Sequence, residues 1–108
     1  MFTNVPAVTI WEKTVQAHTP VYARHETGAV YWEGSTGQSG GRDRVPEDGV
    51  LLCIPADSLS GYLPKPDDRI LPGSIPDAAP PRDALTVMKV QDFLYAAAFM
   101  QHLEVHLS

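Results

Sequence analysis

The sequence predicts an all-β fold, a small β-barrel or sandwich of about six to seven short strands, in one domain spanning residues 1–108. Three observations predict it. Ten prolines and eight glycines are spread over 108 residues, so turns are frequent and long helices are interrupted. The apolar residues fall in short runs rich in Val, Ile, Tyr and Trp, which suit a pleated surface. No segment sustains a helical period between caps.

The elements follow in order. Residues 8–13 (VTIWEK) form the first strand and residues 20–26 (PVYARHE) the second. Thr27-Gly28 is a turn signal, because glycine permits positive φ. Residues 29–33 (AVYWE) are the third strand, expected to pair with the second as a hairpin. Residues 34–49 hold five of the eight glycines and one apolar side chain beyond proline, Val45. Such a segment buries too little to offset its ordering entropy. It is expected to be a long mobile loop, either inert or ordered by a partner.

Residues 50–55 (VLLCIP) are a nearly continuous apolar run, expected to be a strand buried on both faces, with Cys53 a small buried hydrophobe. Residues 56–68 read as loop and 69–75 as a short strand or turn. Residues 76–83 (PDAAPPRD) form a rigid, polar Pro-rich loop. Residues 84–92 are a strand with Leu85 and Val87 on its apolar side and, after a register slip, Met88 and Val90. Residues 93–100 read as a loop or single helical turn, although three alanines favour helix. The last strand runs from Phe99 to Leu107.

Composition narrows the function. With 13 acidic against 8 basic residues, the net charge is −5. No basic cluster is dense enough to grip nucleic acid, and a duplex nearby would be repelled on average. A single cysteine forms no internal disulfide. No charged n-region and apolar h-region opens the chain, and no apolar stretch approaches the ~20 residues of a membrane helix. The expectation is a protein made in a reducing cytoplasm, with no membrane partner.

The closing octapeptide QHLEVHLS carries the sharpest chemical pattern. On a strand, Leu103, Val105 and Leu107 face one way and His102, Glu104 and His106 the other. Alternate residues lie roughly 7 Å apart, so these three side chains are conceivable ligands for one ion. A solvated or subunit-facing strand face accounts for the same pattern, and His18 and His25 add no ligand motif. We therefore expect no metal and no other cofactor. Catalytic signatures are lacking too. There is no G-x-S-x-G or Ser-x-x-Lys, and GSTGQSGG lacks phosphate-loop spacing. Asp67 and Asp68 would point apart on a strand. Trp11, Tyr22, Tyr31 and Trp32 read as core and interface residues, not as a base-stacking platform. The chain is not expected to be an enzyme.

The ordered set VTIW, AVYWEG, a Gly-rich polar loop, IPADS, ILPGSI and LTVMKVQDF…MQHLEVHLS resembles a family of small minor structural proteins of long-tailed bacteriophages and prophages. These are minor capsid or head-tail connector proteins of the head-closure (stopper) type. The resemblance runs from about Val8 to Val105. It implies a small β-barrel with a long mobile loop, assembled as a homo-oligomeric ring in the virion at the head-tail interface. The protein would reside in the host cytoplasm before assembly. A portal or adaptor protein would lie on the head side and a tail protein on the other, with DNA passing nearby without sequence-specific binding. Gly37, Gly40, Arg42 and Arg44 of the loop, with His102, Glu104 and His106, are the expected partner or oligomer interface. The terminal strand suits pairing by edge addition. Two alternatives are a tail-terminator or tail-completion protein of the same particle and, more remotely, a small metal-binding β-barrel enzyme using the His-x-Glu-x-His strand.

Overall fold

A computed structural model describes residues 2–34, 49–95, 97 and 100–108. The fold is all-β. Its strands are β1 (Val8–Gln16), β2 (Thr19–Glu26), β3 (Tyr31–Glu33), β4 (Val50–Pro55), β5 (Arg69–Pro72), β6 (Leu85–Asp92) and β7 (His102–Leu107), with a 3₁₀ turn at Ala56–Ser58 after β4. They form one antiparallel sheet in the order β2-β1-β5-β6-β7-β4-β3. The sheet curls but does not close into a barrel. An isolated Val5–Val30 bridge links the segment before β1 to the segment before β3.

Period-2 alternation builds the core. Val8 and Ile10 from β1, Val50, Leu52 and Ile54 from β4, and Leu103, Val105 and Leu107 from β7 are buried together with Val30, Ile70 and Val87. The alternation on β7 is the one expected. β4 departs from expectation: Val50, Leu52 and Ile54 point inward, while Leu51, Cys53 and Pro55 are only half-buried on the other face. β4 is thus buried on one face. Cys53 is a half-buried outer-face residue, outside the core. The register slip in β6 is real, a bulge between Val87 and Lys89. It turns Met88 out to solvent and off the apolar side, since the extra residue of a bulge is left unpaired.

The expected β2–β3 hairpin does not form. β2 folds back on β1, with Gln16 opposite Thr19, and β3 pairs with β4. The two-residue turn is Ala17-His18, both at positive φ (50° and 66°), the pattern of a type I′ turn. Its sequence lacks the Asn and Gly that usually mark such a turn. Thr27 and Gly28 instead carry the chain across the fold: Thr27 N–H donates to Val8 O and Gly28 N–H to Ser58 O.

β4 is entered through Gly49. At φ +71°, a Cβ there would collide with the carbonyl oxygen of Leu107, so only glycine fits beside the end of β7. A Cβ on Gly34 would stand 2.7 Å from Gly49 O, which places the two ends of the 35–48 segment against each other.

The Pro-rich segment after β5 is strapped over the outer face of β1 and β2. Thr9 Oγ1 donates to Gly73 O at 2.7 Å and accepts from Ile75 N–H at 2.9 Å. Trp11 Nε1 donates to Asp77 O at 2.9 Å and Arg24 Nε to Ile75 O at 2.6 Å. Beneath the strap, Trp11, Leu71 and Ala84 form a second apolar cluster flanked by Tyr22 and Ile75. A connection expected to be a rigid, polar loop thus packs over the buried Trp11.

Candidate functional site

β7 lies between β6 and β4, paired on both sides. The edge-addition role expected of it is therefore closed, because its backbone groups already serve two neighbours. Its polar face remains available. His102 stands opposite Pro55, Glu104 opposite Cys53 and His106 opposite Leu51 on β4. Across β6, Glu104 meets Gln91 and His106 meets Lys89. Tyr31 of β3 lies opposite Cys53 and Glu33 opposite Leu51. The outer face of four strands is thus a mixture of imidazole, carboxylate, thiol, phenol and aliphatic groups, half-buried on β4 and β7 and exposed at Glu33, Lys89 and Gln91.

The three conceivable ligands are not brought together as a set. His102 Nδ1 is 2.7 Å from Met100 O and its Nε2 is 3.1 Å from Glu104 Oε2, so both ring nitrogens are engaged. Phe93 stacks on the same imidazole with ring centres 5.0 Å apart. His106 Nε2 is buried and has no hydrogen-bond partner among the described residues. Among those residues, no group of three His, Cys, Asp or Glu side chains is arranged to hold a metal ion. Cys53 sits between two carboxylates. Burial first, then the charges of Glu104 and Glu33, push its thiol above the ordinary range. The thiolate is disfavoured, the reverse of what a catalytic cysteine needs. Gly37, Gly40, Arg42 and Arg44 lie outside the described residues.

The residues missed by sequence reasoning lie at the far end of β1. Asp68 is fully buried. Its carboxylate accepts from Lys13 N–H (3.0 Å), Tyr62 O–H (2.5 Å), Lys65 N–H (3.1 Å) and Lys65 Nζ (3.0 Å). Lys65 Nζ also donates to Lys13 O at 2.9 Å. β5 starts at Arg69, opposite Trp11, so one side chain and its lysine continue the ladder one pair beyond the strand. Tyr62 stacks flat on His25, centres 4.1 Å apart, and His25 Nε2 is 2.9 Å from Glu12 Oε1. Through Tyr62 this chain of groups packs against the main core cluster. Lys13 N–H to Asp68 and Lys65 Nζ to Lys13 O hold the 59–68 segment to β1, while Tyr62 O–H and Lys65 N–H close the segment on the same carboxylate, which makes it an anchor. Only the adjacent acids Asp67-Asp68 pointed to it in the sequence. They point apart, though not as strand neighbours: Asp67 is exposed in a turn at φ 81° and Asp68 turns inward just before β5.

Comparison with family models, with curated proteins and with solved structures finds no match to this chain.

Proposed function

We propose that this chain is a structural component of a bacteriophage virion at the head-tail interface, a head-closure or connector protein that acts as a homo-oligomeric ring. One observation carries the reading furthest. The mixed outer face of β3, β4, β7 and β6, with exposed Glu33 and Lys89 and half-buried Glu104, His102 and His106 among Tyr31, Leu51 and Cys53, has the composition of a surface that meets other protein. It combines apolar area with polar groups able to pair across an interface. The ordered motifs along the chain support the same reading, and the net charge of −5 suits a wall that passes DNA without holding it. Portal or adaptor and tail proteins are the partners this role requires.

The test is location and shape. Particles purified from the host that encodes the chain should contain it in several copies by quantitative mass spectrometry, and the purified protein at high concentration should show annular assemblies in negative stain. Recovery of the chain only from the host's free protein, with particles lacking it, would overturn the proposal.

A further inference from the structure

The two edges of the sheet are finished differently. β3 is only three residues long, and its edge is closed by the chain's own start: Trp32 N–H donates to Asn4 Oδ1 at 2.8 Å, and Asn4 Nδ2 donates to Trp32 O at 3.0 Å. β2 is eight residues long and largely exposed. It is an edge of the kind proteins normally cover, shorten or charge.

The register states which groups this edge offers. A two-residue hairpin with Gln16 opposite Thr19 directs the backbone groups of Thr19, Val21, Ala23 and His25 toward β1. Those of Pro20, Tyr22, Arg24 and Glu26 point away. The hydrogen bond from Ser60 Oγ to Glu26 O confirms this sense. Reading outward, Pro20 offers an acceptor only, since it has no N–H. Tyr22 and Arg24 each offer a donor and an acceptor. Glu26 offers a donor only, its carbonyl being taken by Ser60. Read backwards, this series is its own complement.

We infer that β2 pairs antiparallel with β2 of a second copy of this chain, in the register that sets Pro20 opposite Glu26 and Tyr22 opposite Arg24, with Ala23 on the two-fold axis. In this register each Tyr22 N–H meets an Arg24 carbonyl, each Arg24 N–H a Tyr22 carbonyl, and each Glu26 N–H a Pro20 carbonyl. No outward donor is left over, and the position without an N–H faces the carbonyl already in use. Side chains agree with the pairing. Tyr22 comes to lie beside the partner's Arg24 on one face, a cation–π neighbourhood, and the smallest side chain of the strand stands where the two copies approach most closely. A two-fold contact closes on itself, so it yields a dimer and leaves the β3-β4-β7-β6 face free. The inference does not rest on the virion reading.

Two variants of the full chain test it. Tyr22→Pro removes an outward N–H and no bond to β1, and an edge position tolerates proline. Ala23→Cys, in a Cys53→Ser background, places two thiols across the axis. Their Cα atoms would be ~4.5 Å apart in a non-hydrogen-bonded pair, inside the ~4.4–6.8 Å range of disulfides. By light scattering, the unmodified protein should show twice the 11.8 kDa chain mass, and Tyr22→Pro should show the single mass with unchanged circular dichroism. Ala23→Cys should cross-link under mild oxidation, and Val21→Cys in the same background should not. A monomer at all concentrations, or equal cross-linking at both positions, overturns the inference. Should larger assemblies form, or should the proline variant fail to fold, the cysteine pair decides alone: an Ala23→Cys disulfide supports the pairing and its absence refutes it.

Discussion

The hydroxyl of Tyr62 donates to the buried carboxylate of Asp68 at 2.5 Å, while the Tyr62 ring lies flat on His25. The ring contact ties a segment with little regular structure to β2, and Lys13 N–H, donating to the same carboxylate, ties it to β1. Asp68→Ala would strand Lys13 N–H, Lys65 N–H and the phenol at a buried site, and is expected to cost about 3 kcal/mol in urea denaturation. Tyr62→Phe removes one charge-assisted bond and should cost about 1.5 kcal/mol.

The same pair sets a pH dependence. Burial first, then the hydrogen bond to Asp68 and the charges of Asp68 and Glu12, raise the Tyr62 phenol far above its ordinary value of 10.0. A group whose pKa is raised on folding contributes stability that is intact below its unfolded value and is lost as pH climbs beyond it. Unfolding free energy should therefore decline above about pH 10, and Tyr62→Phe should flatten that decline. An equal slope in both proteins would contradict the role given to Tyr62.

Cys53 provides a readout of the outer sheet face. Its thiol is held protonated by burial and by Glu104 and Glu33, so native labelling with a thiol reagent should be slow at neutral pH and accelerate only at alkaline pH. Glu104→Gln should lower the thiol pKa and speed labelling at neutral pH. An unchanged rate would mean that Glu104 does not act on Cys53.

The β1–β2 turn is strained by its residues. Replacing Ala17-His18 with Asn-Gly would suit the positive φ values of 50° and 66° and should stabilise the fold by about 1 kcal/mol in thermal or urea unfolding. Destabilisation would show that the hairpin turns in another way.

Trp11 holds the strap. It is fully buried, and its indole N–H donates to Asp77 O. Trp11→Phe should leave the sheet intact and loosen the strap, raising the rate of tryptic cleavage after the exposed Arg82 several-fold. Unchanged protection at Arg82 would show that the strap is fastened elsewhere.

How much of this was legible varies with the range of the interaction involved. The alternation of residues 102–107 was readable because it is local: one apolar face and one polar face specify a strand by themselves. The β6 slip was visible too, though not which residue it expels. The partner of β2 was hidden because Ala17-His18 carries no turn residue, whereas Thr27-Gly28 carries one and does not make the hairpin. Leu51 and Cys53 suggested two buried faces because half-covered outer positions accept apolar residues as readily as a core does. Asp68 was the least legible. Its burial is made tolerable by Lys13, Tyr62 and Lys65, and only the folded chain brings Lys13 to it. The interface residues proposed for the 34–49 loop, Gly37, Gly40, Arg42 and Arg44, fall outside the described residues.

Complementation in the phage or prophage that encodes the chain tests the central proposal most directly. One variant carries His102→Gln with His106→Gln, which keeps hydrogen-bonding capacity and removes most metal affinity. The other deletes most of residues 36–47, a polar stretch whose shortening costs little closure entropy. The head-tail reading predicts that particles lacking the chain accumulate as DNA-filled heads and unjoined tails. It also predicts that the histidine variant restores infectious particles nearly fully and that the loop deletion does not. Normal particles without the chain, or an essential histidine pair with a dispensable loop, would contradict it, the latter pattern returning the metal-binding alternative.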